Sequence, residues 1–111
     1  TCLRLLLTGG ENLTKKPSRI TNYTVYNNYG PTENTVVSTC CKVEDDKPIT
    51  IGKPITNVMA YVLDENQKEV SHDTPGELYI GGKGLALGYL NNIELTRQRF
   101  PEVSIEGKKV R

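Results

Sequence analysis

Apolar residues in this chain gather in short runs instead of long helical stripes. Leu3-Arg4-Leu5-Leu6-Leu7 with Thr8 is a run of strand length, closed by Gly9-Gly10, and predicts a buried strand over 3–8. Leu13 to Ile20 reads as a short helix, limited by Pro17 and by the turn-forming Thr21-Asn22. Thr24 to Asn28 mixes β-branched and aromatic residues and predicts a second strand. Two strands joined by a short helical crossover imply a βαβ unit and a parallel sheet. Gly30-Pro31 breaks the second strand, and the Val- and Thr-rich stretch from Thr35 to Val43 predicts a third.

The texture changes after the polar turn Glu44-Asp45-Asp46-Lys47-Pro48. Ile49–Ile51, Val58–Leu63, Val70 and Leu78–Ile80 read as short strands, with a hairpin turn at Asp64-Glu65-Asn66. A mostly antiparallel sheet or small barrel is expected over 48–82. Asn92 is placed to cap a short helix from Glu94 to Phe100, which Pro101 ends. The fold class is therefore α/β: a parallel, flavodoxin-like part over 1–47 and a β-rich part with a terminal short helix over 48–111, together a single incomplete domain. Both ends read as those of an excised segment, since the first strand begins at once and Val110-Arg111 looks like the start of another element.

Composition narrows the function classes. The 111 residues are 36% hydrophobic and 24% charged, which suits a globular protein with modest core material. With 14 basic and 13 acidic side chains the net charge is +1, too weak a field to favour nucleic acid or an anionic membrane surface. The densest basic run, Lys108-Lys109-Val110-Arg111, reads as a solvated loop. No apolar stretch has the length of a membrane span, and Leu3–Leu7 is too short for a signal-peptide core. Cys2, Cys40 and Cys41 are odd in number and lack CxxC spacing, so neither a disulfide framework nor a zinc site is expected and a cytoplasmic setting is favoured. His72 reads as a surface-loop residue, with no GxSxG nucleophile motif to serve.

Three stretches carry candidate chemistry. Asn27-Asn28-Tyr29-Gly30-Pro31-Thr32-Glu33 delivers an amide, an aromatic ring, a hydroxyl and a carboxylate at a strand end. An aromatic ring stacks on a base and an amide reads a base edge. A carboxylate holds Mg²⁺, which is bound by one or two carboxylates together with phosphate oxygens. Thr8-Gly9-Gly10-Glu11 ends the first strand, where open α/β sheets bind ligands. Gly76 to Leu90 is glycine-rich but matches neither the GxGxxG nor the P-loop spacing. Taken singly, each stretch reads better as a strand followed by a turn.

Their order is more specific. Thr8-Gly9-Gly10-Glu11, Asn28-Tyr29-Gly30-Pro31-Thr32-Glu33, Ile51-Gly52-Lys53-Pro54-Ile55, Gly76 to Leu90 and Glu94-Leu95-Thr96 with Phe100 together resemble the adenylation domains of nonribosomal peptide synthetases, within the adenylate-forming enzymes. The resemblance runs over essentially the whole chain and implies part of the large N-terminal lobe of such a ligase. It implies that Asn27 reads the adenine amino group, Tyr29 stacks on the adenine and Gly10 lines the other side. Thr32 and Glu33 are the implied catalytic pair, Thr32 on the α-phosphate and Glu33 on Mg²⁺. The implied reaction joins an amino acid to AMP from ATP, and the aminoacyl group then passes to phosphopantetheine on a peptidyl carrier domain, with condensation domains as further partners. Leu7, Gly9, Asn28, Val36 and Val37 match the family's substrate-pocket positions. Three aliphatic side chains and one glycine beside Asn28 make a mainly apolar set that resembles the leucine-selecting pattern and offers no charge to pair with a charged substrate. If Val36 and Val37 lie on a strand, they face opposite ways.

Two other readings stay open: a segment of an acyl-CoA ligase, which an upstream Asp for the amino group would argue against, and a non-catalytic interaction module. The family's upstream phosphate loop, its amino-binding Asp, its Tyr-x-Thr-Gly-Asp motif and its C-terminal catalytic Lys fall outside these 111 residues. The isolated chain is therefore expected to be inactive. Pyrophosphate exchange dependent on ATP and leucine by the purified 111-residue chain would overturn that expectation.

Overall fold

The computed structural model describes residues 2–18, 22–105 and 108–110. It divides into two compact units, Thr1–Thr56 and Asn57–Arg111. The division falls beyond residue 47 because the stretch after Pro48 contributes a strand to the first sheet. The class is α/β, with mixed strand directions and little helix.

In the first unit, β1 (Leu5–Thr8) pairs in parallel with β2 (Thr24–Tyr29), from Leu5 opposite Thr24 to Thr8 opposite Asn27. β2 then pairs antiparallel with β3 (Thr39–Lys42), Tyr29 opposite Thr39, and β3 pairs antiparallel with β4 (Lys53–Pro54). The parallel pair expected from sequence is present. Its helical crossover is not: residues 13–18 form no helix, and positions 19 and 20 lie outside the described residues. A parallel strand becomes buried when crossover helices cover the sheet. In this segment Leu5, Leu6 and Leu7 are 41–59% exposed, where the sequence predicts a buried strand. The predicted strand at 35–43 shortens to β3, because a 3-10 turn at Thr32–Asn34 and left-handed Thr35 and Val36 occupy its first part. Residues 49–51 are not a strand either; pairing with β3 begins two residues later, at Lys53.

The second unit follows its pattern more closely. β5 (Val58–Leu63) and β6 (Glu77–Gly82) pair antiparallel throughout. The turn after Leu63 forms because the Asp64 carboxylate accepts from the Asn66 and Lys68 backbone N–H groups at 2.8 and 2.9 Å. These bonds, that from Lys68 foremost, hold the Asp64 carboxyl below its usual pKa. Alternation puts Tyr61 and Leu63 on one face of the hairpin, with Tyr79 opposite Tyr61. There Leu63 meets Val103 and Ile105 of β7 (Val103–Ile105), with Tyr61 and Tyr79 packed at the edge. β7 pairs with β8 (Lys108–Val110), so the basic run is largely strand and not the expected loop, and Arg111 lies outside the described residues. Strand pairing supplies the backbone partners that a short polar segment lacks alone.

The helix α1 (Ile93–Arg99) carries the expected Asn92 cap and begins one residue before the expected Glu94. Asn92 Oδ1 accepts from the Leu95 N–H at 3.0 Å, and Glu94 sits in the first turn while Arg97 and Arg99 sit in the last. Thr96 ties the preceding loop to the helix: its Oγ1 accepts from the Tyr89 N–H at 2.8 Å and donates to the Asn92 carbonyl at 2.8 Å. The Tyr89 and Phe100 rings meet edge to face at 5.5 Å. Gly88 is required where the loop turns down, since its φ is +147° and an added Cβ would collide with Thr96 Cγ2. Among the described residues no helix is long and apolar enough to cross a membrane.

Asn92→Ala should cost about 1 kcal/mol of stability, the usual loss for a helix cap. Gly88→Ala should cost about 1–3 kcal/mol, from overpacking against Thr96 and a disfavoured φ. Urea unfolding of the full-length protein containing this chain measures both, and a Gly88→Ala midpoint equal to the parent's would discount the contact with Thr96.

Candidate functional site

The parallel register brings the carboxyl ends of β1 and β2 side by side. Gly9-Gly10 follows Thr8, and Asn28-Tyr29-Gly30 follows Asn27, its register partner. The two segments touch closely, since a Cβ on Gly9 would lie 2.5 Å from the Asn28 carbonyl oxygen. Beside this junction opens a cavity of about 300 Å³, lined by Gly10, Glu11, Asn12, Leu13, Asn27, Asn28, Tyr29, Gly30 and Ile51. Ligands on open α/β sheets gather at carboxyl strand ends, and this cavity reaches the lower range of small-molecule sites.

Asn27 is buried, and its Nδ2 donates to the Thr50 carbonyl at 2.9 Å. That bond fixes the amide plane and distinguishes its donor end from its acceptor oxygen. Tyr29, two residues on along the same strand face, is partly exposed at the cavity. Strand alternation puts Leu7 and Asn28 on the opposite face from Asn27, because Leu7 pairs with Tyr26.

The remaining candidates sit on the loop 30–38, which joins β2 to β3. The Ser38 N–H donates to the Tyr29 carbonyl at 2.7 Å and closes the loop on itself. Gly30 permits the closure, because a Cβ there would meet Val36, Val37 and Ser38 backbone. Pro31 is extended and enters the 3-10 turn, whose bonds run from the Asn34 N–H to the Pro31 carbonyl and from the Thr35 N–H to the Thr32 carbonyl, at 3.1 and 3.3 Å. Thr32 is exposed and Glu33 half-buried. Thr35 and Val36 have φ of +52° and +71°. For β-branched residues this backbone is strained by about 1–3 kcal/mol each, which the surroundings must offset. Val36 and Val37 are therefore not strand residues, and the alternation expected to point them opposite ways does not apply. Val36 is 71% exposed and Val37 half-buried.

Of the residues singled out by sequence, Gly10, Asn27, Asn28 and Tyr29 share the cavity wall. Leu7, Gly9, Thr32, Glu33, Val36 and Val37 do not line it. Sequence reasoning missed Asn34 and Ser38. Asn34 is 1% exposed, its Nδ2 donates to Ser38 Oγ at 2.8 Å, and its Oδ1 is buried without a partner. An unmade buried acceptor costs about 1–3 kcal/mol. Nothing marks a polar residue inside a loop as buried; only its place straight after Glu33 could have drawn notice. Thr39 and Ile51 were also missed: Thr39 Oγ1 donates to the Ile51 carbonyl at 2.6 Å and steadies the segment that brings Ile51 to the cavity.

The donor set bears on an implied Mg²⁺. Among the described residues no cluster of three or more His, Cys, Asp or Glu is placed to hold a metal. A single half-buried carboxylate, Glu33, fits the mode in which Mg²⁺ takes one protein carboxylate and completes its shell with phosphate oxygens and water. The aromatic ring and oriented amide on the cavity wall fit a nucleobase.

Residues 1–90 match the family of AMP-binding enzymes. The chain is 49% identical to a linear gramicidin synthase of Brevibacillus parabrevis, over 97% of its own length and 2% of the synthase. Among solved structures it resembles PA1221, an NRPS protein containing adenylation and PCP domains, with a TM-score of 0.85 and 38% identity over 98% of this chain and 24% of that one. It also resembles the Klebsiella oxytoca NpsA N-terminal subdomain in complex with 3-hydroxyanthranilyl-AMSN, with a TM-score of 0.82 and 26% identity over 96% of this chain and 28% of that one. The chain thus spans a small part of each relative's length. With residues 1–90 matched, a span that holds β1 to β6 and every residue of the cavity wall, the chain belongs to the AMP-binding enzyme family.

Proposed function

We propose that this chain is a segment of a nonribosomal peptide synthetase adenylation domain, in which residues 1–47 supply the nucleotide, Mg²⁺ and substrate contacts and 48–111 serve mainly as scaffold. The observation that carries the reading is the convergence of Gly10, Asn27 and Tyr29 on one cavity at the carboxyl ends of two parallel strands. The similarity to the linear gramicidin synthase and to PA1221 supports it.

In this reading Tyr29 stacks on adenine, the Asn27 amide oxygen accepts from its amino group and Gly10 gives close access from the other strand end. The Thr32 hydroxyl donates a hydrogen bond to an α-phosphate oxygen, and Glu33 would hold Mg²⁺, which would offset phosphate charge there. A carboxylate oxygen of the amino acid attacks the α-phosphorus, the bond to the β-phosphate bridging oxygen breaks, and pyrophosphate leaves. A phosphopantetheine thiol on a peptidyl carrier domain would then attack the carbonyl carbon of the adenylate, forming a thioester as the bond to the phosphate oxygen breaks and AMP leaves, upstream of condensation. Leu7, Gly9, Asn28, Val36 and Val37 form the substrate pocket. Being uncharged and mainly aliphatic, they favour an aliphatic substrate, leucine foremost, with discrimination of about 1–3 kcal/mol against valine, which is one methylene smaller. The free thiols of Cys2, Cys40 and Cys41 suit a cytoplasmic setting.

Amino-acid-dependent ATP–pyrophosphate exchange by the full-length protein, screened over the proteinogenic amino acids, tests this directly. Leucine should give the strongest signal. A strong signal from a polar or aromatic amino acid discards the pocket and keeps the enzyme class, whereas none from any amino acid favours activation of another carboxylic acid. Tyr29→Ala should raise the KM for ATP about tenfold or more, the scale of a lost base-stacking contact, and Tyr29→Phe should not. Equal KM values for the two variants would remove Tyr29 from the nucleotide site.

A further inference from the structure

We infer that Asn34 is a positioning residue: held inside the 30–38 loop by Ser38, it sets the direction in which Thr32 and Glu33 face. The inference rests on the adenylating reading and adds to it a residue that touches neither nucleotide nor metal.

Thr32, Glu33 and Asn34 are the three residues of one 3-10 turn. At three residues per turn, their side chains point in three different directions. Anchoring one of them inward therefore orients the other two. Asn34 is the anchored one, 1% exposed beside a half-buried Glu33 and an exposed Thr32. Its Nδ2 donates to Ser38 Oγ at 2.8 Å. Ser38 is itself fully buried, and its N–H donates to the Tyr29 carbonyl at 2.7 Å. A continuous path of two hydrogen bonds thus runs from the loop turn to the last residue of β2, whose position the sheet fixes.

Two further features make the Asn34–Ser38 bond more than a plug. It spans Thr35 and Val36, the two left-handed β-branched residues, and so bridges the strained part of the loop. An apolar side chain would fill the same space without leaving Oδ1 buried and unpartnered, so what the amide adds is the directed bond to Ser38. Removing that bond frees the strained backbone to relax and turns Thr32 and Glu33 away from their facing.

The test uses the full-length protein with Asn34→Leu, which keeps the branched shape but not the hydrogen-bonding groups, Ser38→Ala, which removes only the hydroxyl, and the double variant. Exchange kcat, half-saturating Mg²⁺ and melting temperature are measured for each. Each single variant should lose about 10–100-fold in kcat, the scale of a displaced catalytic group, and need more Mg²⁺. The double variant should be no slower than the slower single one, because both cut the same bond. Parent-like kcat and Mg²⁺ dependence in Ser38→Ala would overturn the inference, as would a drop in melting temperature with kcat per folded molecule unchanged. A parent protein that gives no pyrophosphate exchange with any amino acid or other carboxylic acid would instead sink the adenylating reading, and this inference with it.

Discussion

The pairing of β2 on both sides is the constraint on which the site depends. Along one edge it runs parallel to β1, which aligns two carboxyl strand ends. Along the other it runs antiparallel to β3, which forces the chain after Tyr29 to turn back within nine residues. The first pairing makes the cavity junction, and the second makes the closed 30–38 loop. A slip of one residue in β2 would carry Asn27 and Tyr29 to the opposite face and Asn28 to theirs.

The two units solve the burial problem differently. In the second, Leu63, Val103 and Ile105 form an apolar centre, and strand pairing follows the hydrophobic alternation. In the first, Val25 is the one buried apolar side chain among the described residues, beside buried Asn27, Asn34, Ser38 and Thr39. Polar side chains are tolerated there because each gains a directed bond: Asn27 to Thr50, Asn34 to Ser38 and Thr39 to Ile51. Each such bond contributes only about 0.5–1.5 kcal/mol net, less than a buried aliphatic side chain. What they add is orientation of the side chains they hold.

The reading of the site from sequence meets the topology where a short motif coincides with a strand end. Asn27, Asn28 and Tyr29 lie on one strand, and Gly10 follows a strand placed parallel to it, so the motif and the topology agree. It did less well over 30–38. Val36 and Val37 have strong β propensity, but closure of the loop between Tyr29 and Ser38 outweighs that preference and puts Val36 in left-handed backbone. Asn34 escaped notice because burial of a polar loop residue depends on a partner four positions on, which composition does not reveal.

The sequence by itself determined the features whose partners lie within a few residues. The Asn92 cap, the Asp64 turn, the Gly30-Pro31 break, the strands at 24–29 and 58–63, and the end of the helix before Pro101 all depend on short-range hydrogen bonds or on backbone preference. Tertiary structure alone decided which strands pair and what each connection becomes. β1 pairs in parallel with β2 although 13–18 forms no helix, residues 53–54 join the first sheet because β3 offers them an edge, and the basic C-terminal stretch becomes a strand because β7 supplies its partners. The physical reason is the same in each case: a backbone group takes its hydrogen bonds from whatever segment is brought beside it, and that segment is distant in the chain.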